Sequence, residues 1–458
     1  MNNIKELKYS LKNNPVKCSW WGQRAHDALG LSYILDLDFL VCCDWGADTE
    51  NIWGEKVVSL ERLTKKRGNF SNEDLNFALS GELKHDILDR LSGGSACIMY
   101  RSLEELEGIA SGNNKIKIFS ASNNLKRTFD DKILFRKILK ELGLNIIPGE
   151  TVILQDSNYS SLMKKWGKEY MLRYPVASSG SRTFLVKNRD EHEMIKNNYV
   201  TDVPVIAEGY LPGYSLNINA VIGGNKIYLS PPSVQVIGVP CLISGRFGFA
   251  GNDFSSAKNI DGRIMEEIKY STLKIAGYML ENGFKGMMGI DFIVYEGKLY
   301  PVEINPRFQN STSLLTLLEI KEGKIPLVLR HLKQFDRLFD DIPDMDGFSC
   351  SFDGAQITLH NLEDKDITVI NTVKPGVYYC EDGDIKYRKE GHSLLDCRED
   401  SDFVICCGVP EEGTILEPGS PLFKIHFCHG IMKNDLKTLK KEIELTIKKL
   451  YNAVVKEK

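Results

Sequence analysis

The sequence predicts a multidomain protein of mixed α/β and α+β class: an N-terminal α/β domain, a central α+β region and a small β-rich C-terminal part. Three observations carry this reading. At 458 residues the chain is too long for one ordinary core, so roughly two to four domains are expected. Over residues 1–125 short apolar runs alternate with helical patterns, which favours a largely parallel sheet. After about residue 335 the text changes to short apolar runs separated by turns, the pattern of a small β domain.

Composition narrows the class of function. Apolar residues make up 42% and charged residues 26% of the chain, the balance of a soluble globular protein. A formal charge of −4 offers no electrostatic case for nucleic acid or an anionic membrane. No apolar run approaches the ~18 residues of a spanning helix, and MNNIKELKYSLKNN is too polar for a signal peptide. The eleven cysteines include two adjacent pairs, Cys42-Cys43 and Cys406-Cys407. There is no CxxC and no His/Cys cluster at zinc spacing. Buried, reduced thiols in a cytoplasmic protein are expected.

Taken in order, Val16-Trp20, Asp38-Cys43, Ala96-Tyr100 and Ile116-Ser120 read as strands, with helices at Arg24-Leu35 and Asn72-Leu91. The turn after the first strand, Trp21-Gly22-Gln23-Arg24, is no dinucleotide fingerprint, and no GxxxxGK[ST] loop occurs. In NLKRTFDDKILFRKILKELG, Thr128 reads as an N-cap with Asp130 and Asp131 in the first turn. Lys132 lies in that turn, yet by itself it reads as a solvated surface lysine. A strand, Glu169-Arg173, leads to a small-residue tip, Ser178-Ser179-Gly180-Ser181, then Arg182 and the run Phe184-Val186. Such a tip lets backbone amides approach a phosphate, although Ser/Gly turns are also common in plain flexible hairpins. Val203-Ala207 ends in Glu208-Gly209-Tyr210-Leu211, and strands Ser215-Ile222 and Lys226-Leu229 follow. The glycine-rich stretch from Val234 to Phe254 reads as a long functional loop, and residues 262–281 as an amphipathic helix.

Ile290-Tyr295 and Leu299-Ile304 flank Glu296-Gly297-Lys298 and read as a hairpin. A three-residue loop pairs Tyr295 with Leu299 and Asp291 with Glu303. Period-two alternation then projects Asp291, Glu303 and Asn305 from one face. Two opposed carboxylates repel, and a hard divalent cation such as Mg²⁺ would reconcile them. Arg307 adds a planar cation for a phosphate or carboxylate. A hairpin with its acids in water has the same text, and a one-residue slip would part them. Further on, Gln356-His360, Ile367-Val373, Gly376-Tyr379, Phe403-Cys407 and Leu422-Phe427 read as strands. Asn434-Lys458 reads as a helix with Leu436, Leu439, Ile443, Ile447, Leu450 and Val454 on one face.

The set is more specific than its members. An Asp-Lys at a helix start, a cation at a strand end, a Ser/Gly tip, Glu-Gly-Tyr-Leu after a strand and Asp-x11-Glu-x-Asn-Pro-Arg occur in this order. That order resembles the ATP-grasp superfamily, most closely its biotin-carboxylase-like members, over roughly residues 115–320. The resemblance implies an N-terminal domain over 1–125, a two-lobed ATP-grasp core over 126–335 with a lid at about 150–207, and a C-terminal part over 336–458. It implies ATP and, at Asp291, Glu303 and Asn305, two Mg²⁺ ions. Lys132 and Arg173 match phosphate-binding cations, although the family usually has lysine where Arg173 stands. Ser179, Gly180, Ser181 and Arg182 match the phosphate-covering loop. Glu208, Tyr210 and Leu211 match the adenine-holding hinge, and Ser215 the often acidic ribose position. The activity so implied is an ATP-dependent carboxylate–amine ligase acting through an acyl phosphate, with Arg307, Arg173 and Lys132 in the chemistry. Its substrates would be a small carboxylate and an amine, such as an amino acid or peptide, with a homodimer as the candidate assembly. Biotin carboxylases place a glutamate four residues after the arginine; here that position is Ser311. Carboxylase-type, kinase-like and non-catalytic members of the fold are the rival readings.

Overall fold

The structure is a computed structural model and describes residue 11 and residues 17–64, 70–81, 83–177, 180, 182–344 and 347–454. The N-terminal domain is a parallel sheet of β1 (Cys18–Trp21), β2 (Leu37–Cys42), β3 (Val57–Ser59), β4 (Ser95–Met99) and β5 (Ile116–Phe119), in the order β3-β2-β1-β4-β5. Both faces are covered, as parallel sheets require. Leu75, Leu79, Ile87 and Leu106 pack on one face, and Trp20 and Ile98 join the other to a cluster with Leu314 and Leu329. The strand Val57–Ser59 is too short to carry a periodic signal. The expected helix Arg24-Leu35 is a 3-10 turn, Ala25–Ala28, and a single α-turn, Leu29–Ser32. The expected helix Asn72-Leu91 is two helices, Asn72–Ser80 and Lys84–Leu91, broken around Gly81.

The next lobe is a four-stranded antiparallel sheet of β6 (Gly149–Ile153), β7 (Tyr170–Arg173), β8 (Thr183–Val186) and β9 (Pro204–Gly209), in the order β6-β9-β7-β8. Helices Tyr159–Trp166 and Arg189–Asn198 complete its own small core of Leu162, Leu172, Ile195 and Val205.

One large sheet then runs through the rest of the molecule. It contains β10 (Tyr214–Gly223), β11 (Lys226–Leu229), β12 (Ser233–Ile237), β13 (Phe249–Asp253), β14 (Gly286–Tyr295) and β15 (Lys298–Asn305). It continues into β16 (Ala355–His360), and a separate pair is formed by β17 (Ile367–Thr368) and a later strand. β18 (Gly376–Glu381), β19 (Asp384–Lys389) and β20 (Phe403–Cys406) follow, then β21 (Ile415–Leu416), the partner of β17, and β22 (Pro421–Phe427). The order β15-β14-β10-β12-β13-β16-β22-β20-β18-β19, with β11 on β10, makes eleven strands. The join is the β13–β16 ladder, where Gly251 faces Ile357 and Asn252 faces Gln356. Strands after residue 335 thus extend the sheet that carries the central hairpin. Among the described residues the C-terminal helix covers Lys441–Val454. Leu436 and Leu439 precede it but are buried in the same core as Ile443 and Ile447.

Two local expectations are corrected. Asp131, not Thr128, caps helix Lys132–Glu141: its carboxylate accepts from the backbone N–H groups of Ile133 (2.7 Å) and Leu134 (3.0 Å). Thr128 lies inside the preceding helix Asn123–Phe129. The eleven cysteines are free, but only six are buried and Cys380 is exposed. Among the described residues no helix is long and apolar enough to cross a membrane.

His331, in helix Leu327–Lys333, ties the N-terminal domain to the large sheet. Its Nδ1 accepts from Met287 N at 2.9 Å, and its Nε2 donates to Phe119 O at 3.1 Å. Burial lowers its pKa from 6.5 to about 4. Between those values the unfolded chain binds a proton that the folded chain does not, so this stability is complete above 6.5 and drains as pH falls toward 4. At ~pH 5 the loss is roughly 2 kcal/mol. Unfolding free energies from urea titrations at pH 7 and ~pH 5 are expected to diverge by about that much more for the wild type than for His331→Gln; equal divergence would contradict it.

Candidate active site

The hairpin of β14 and β15 is the floor of the site. Its turn has two residues rather than three: Glu296 (φ 48°) and Gly297 (φ 69°) both take the left-handed conformation, and Tyr295 pairs with Lys298. That register alone would set Asp291 against Val302. A bulge between Asp291 and Phe292 restores the opposition of Asp291 and Glu303. Gly289, opposite Asn305, lets Gln309 cross the sheet; a Cβ there would lie 1.9 Å from Gln309 Oε1.

Asp291 is held by amides: Asn217 Nδ2 donates at 2.7 Å, Gln235 Nε2 at 3.1 Å and Asn305 Nδ2 at 3.2 Å. Burial and then the facing Glu303 raise its pKa to about 7. Burial also pushes Glu303 up, but Lys132 and Arg173 more than offset it and hold the carboxyl below its ordinary value. Lys132 Nζ stands 3.0 Å from Glu303 Oε2 and donates to Ala177 O at 3.0 Å. At 5% exposure Lys132 is not the solvated lysine that its text alone suggests. The opposed acids, amides and cations are the donor set that a hard divalent cation beside a polyphosphate needs. The Asn305 oxygen, however, accepts from Arg307 Nη2 at 2.8 Å, so ligation through it requires the amide to turn over.

Lys132, Arg173, Asp291, Glu303, Asn305 and Arg307 line one cleft of about 590 Å³. Glu208, Tyr210, Leu211, Ser215 and Gly180 line it too. Glu208 is buried between two arginines, Arg136 Nη1 at 2.6 Å and Arg173 Nη1 at 2.8 Å. Tyr210 carries Arg246 5.3 Å above its ring. Gly180 (φ 76°) meets the glycine-rich segment so closely that a Cβ would sit 2.2 Å from Phe247 O. Arg182 turns away, 5.8 Å over the Tyr174 ring, and is not among the cleft's lining residues. Ser179 and Ser181 lie outside the described residues.

Arg307 donates to Phe308 O at 3.0 Å and lies 5.6 Å from the Tyr100 ring, so a residue of the N-terminal domain helps to hold it. Its Nε is buried without a partner among the described residues. Residues that the text did not single out are Arg136, Asn217, Gln235 and Gln309. A helical arginine and isolated amides have no spacing that marks them: the β10–β14 ladder brings in Asn217, β12 beside β10 brings in Gln235, and Gln309 caps the helix that follows the hairpin.

Arg173 uses both arms of its fork, Nη1 on Glu208 and Nη2 on Val302 O at 3.3 Å. A lysine can make one of these contacts. Arg173→Lys is therefore expected to lose most of the nucleotide affinity that Arg173→Ala loses, measured by calorimetric titration. A lysine variant of wild-type affinity would show that charge alone matters.

Residues 129–311 match the family model of the ATP-grasp domain. The chain contains an ATP-grasp domain. The ATP-grasp chain is 21% identical over 259 residues to the arginine-specific large chain of carbamoyl phosphate synthase from Halalkalibacterium halodurans. That match takes in 56% of this chain but 23% of the relative, so the chain spans about a quarter of that protein. Its fold is that of the biotin carboxylase domain of Hydrogenobacter thermophilus 2-oxoglutarate carboxylase, with TM-score 0.60 and 14% identity. The superposition covers 91% of this chain and 87% of that one. N5-carboxyaminoimidazole ribonucleotide synthetase from Thermotoga maritima also superposes, with TM-score 0.51 and 13% identity over 96% of this chain and 99% of that one.

Proposed function

We propose that this ATP-grasp protein is an ADP-forming ligase that phosphorylates a carboxylate and joins the acyl phosphate to an amine. The observation that carries the reading is the opposed pair Asp291 and Glu303, flanked by Lys132, Arg173 and Arg307 around one cleft. Bound Mg²⁺ would neutralise phosphate charge there; Asp291, Glu303 and, after its amide turns, Asn305 are the residues to hold it. Lys132 and Arg173 serve the phosphates, and Gly180 at the hairpin tip borders them. Glu208, Tyr210 and Leu211 border the adenine and Ser215 the ribose. The carboxylate oxygen takes the γ-phosphoryl group and ADP departs. The amine nitrogen then attacks the carbonyl carbon, loses a proton, and phosphate leaves. Arg307 binds the carboxylate and the charge that develops on its oxygen.

Two features favour a carboxylate–amine ligase over a biotin carboxylase. Ser311, which stands where biotin carboxylases have a glutamate, donates to Asn217 Oδ1 at 2.8 Å and accepts from Asn219 Nδ2 at 2.9 Å, so its hydroxyl has no part in proton transfer. Asn252 borders the cleft with a buried Oδ1 that has no donor among the described residues, an acceptor that an N–H of the nucleophile would satisfy. The names carbamoyl phosphate synthase and N5-carboxyaminoimidazole ribonucleotide synthetase agree with carbon–nitrogen ligation of small molecules. A homodimer is the proposed assembly, since the Hydrogenobacter domain is described as a dimer; light scattering would give twice the chain mass. The deciding experiment screens amino acids and other carboxylates with hydroxylamine and Mg-ATP. A hydroxamate formed with stoichiometric ADP is expected, and bicarbonate-dependent carboxylation of free biotin would overturn the reading.

A further inference from the structure

Away from the cleft, the N-terminal domain meets the extended sheet at a cluster of soft ligands. Cys406 ends β20, and Cys407 follows in the left-handed conformation at φ 70°. On the neighbouring β22, His426 faces Val404 and Lys424 faces Cys406, so Cys406 and His426 are diagonal neighbours on one face. The left-handed step turns Cys407 back onto that face. Cys406 Sγ, Cys407 Sγ and a ring nitrogen of His426 all lie within 4.8 Å of one another. His426 is 2% exposed, and its Nδ1 is buried with no hydrogen-bond partner among the described residues.

The turn is held from the other domain. The Asp48 carboxylate accepts the backbone N–H groups of Cys407, Gly408 (3.1 Å) and Val409 (3.0 Å), and His26 Nε2 backs it at 2.7 Å. Lys424 pairs with Asp27 at 3.3 Å. Asp48 and Lys424 therefore already have counter-ions. Beside Cys407 lies a chamber of about 30 Å³, bordered by Arg24, Asp44, Glu61, Thr358, Ser420 and Lys424, room for a water molecule.

The sulfurs are 3.4 Å apart. Two thiolates on one tetrahedral zinc, each bonded at ~2.3 Å, stand roughly 3.8 Å apart, whereas a disulfide needs ~2.05 Å. Two thiolates with a divalent cation form a neutral unit, which a buried site accepts far better than a bare charge. We propose that Cys406, Cys407 and His426 are a binding site for a borderline-soft divalent cation, Zn²⁺ foremost, with its fourth position open to the chamber. The site lies outside the nucleotide cleft, on β20 and β22 beside the turn that Asp48 holds.

The test uses the full chain, purified under reducing conditions and titrated with Co²⁺ and then Zn²⁺. Wild-type protein is expected to show a sulfur-to-cobalt charge-transfer band that saturates at one equivalent and is displaced by zinc. Cys406→Ser, Cys407→Ser and His426→Gln should each weaken binding by at least the ~10–100-fold seen for lesser disturbances of metal sites. Cys380→Ser, which removes the exposed thiol, should leave the band unchanged. Should a variant fail to fold, the wild type decides: a mercurial reagent should release zinc as the paired thiols react. No band and no zinc release from the wild type would overturn the proposal. So would a mass 2 Da low that locates a Cys406-Cys407 disulfide in the protein as isolated.

Discussion

Glu303→Gln is expected to cut Mg²⁺-dependent ATP turnover by at least about 100-fold, because a carboxylate that balances phosphoryl charge in a water-poor cleft is worth ~3 kcal/mol or more. The fold should survive. Glu303 and Asp291 face each other, and their repulsion is part of what raises Asp291 to about 7. Removing one charge relieves that repulsion while it removes the ion pair with Lys132, whose Nζ keeps Ala177 O. The two changes oppose each other. Circular dichroism and the urea midpoint should therefore move little while the rate collapses. A variant with wild-type Mg²⁺-dependent turnover would falsify the metal assignment.

Arg307→Ala should suppress hydroxamate formation by about 10²- to 10³-fold, the size of losing a donor aimed at developing oxyanion charge. The guanidinium is placed for this by Asn305 Oδ1 at 2.8 Å, Phe308 O at 3.0 Å and the Tyr100 ring. ATP affinity should change far less, since Lys132 and Arg173 are the phosphate partners proposed. Arg307→Lys keeps the charge but not the fork, and should recover only part of the product. Undiminished hydroxamate from Arg307→Ala would remove the residue from the chemistry. A stable phosphorylated alcohol in place of hydroxamate would instead identify a kinase-like reaction.

Some of this protein was legible from its text because the signals are local. A β-branched run around Glu296-Gly297 can only be a hairpin, so Asp291 and Glu303 share a strand pair whatever the rest of the chain does. Alternation of apolar runs with helical patterns similarly foretold the parallel sheet of β1 to β5. Helix Gly262–Glu281 has the bounds that its apolar period predicted. The ordered motif set, Asp131-Lys132 through Arg307, pointed to the ATP-grasp domain that spans 129–311.

What only the tertiary structure decided involves groups far apart in sequence. The hairpin's opposition of acids rests on a bulge that compensates a two-residue turn, and turn length cannot be read without the ladder. Lys132 is buried because Glu303 and Ala177, distant in sequence, close around it. The strands after residue 335 join the large sheet through β13 and β16, since an antiparallel edge pairs by backbone alone and leaves no side-chain signature. Helix Asn310–Lys321 is buried from Ser311 through Glu319, so it lacks the polar face by which a helix announces itself. Cys406, Cys407 and His426 have no ligand spacing in the text. They meet because adjacent strands set residues twenty apart side by side.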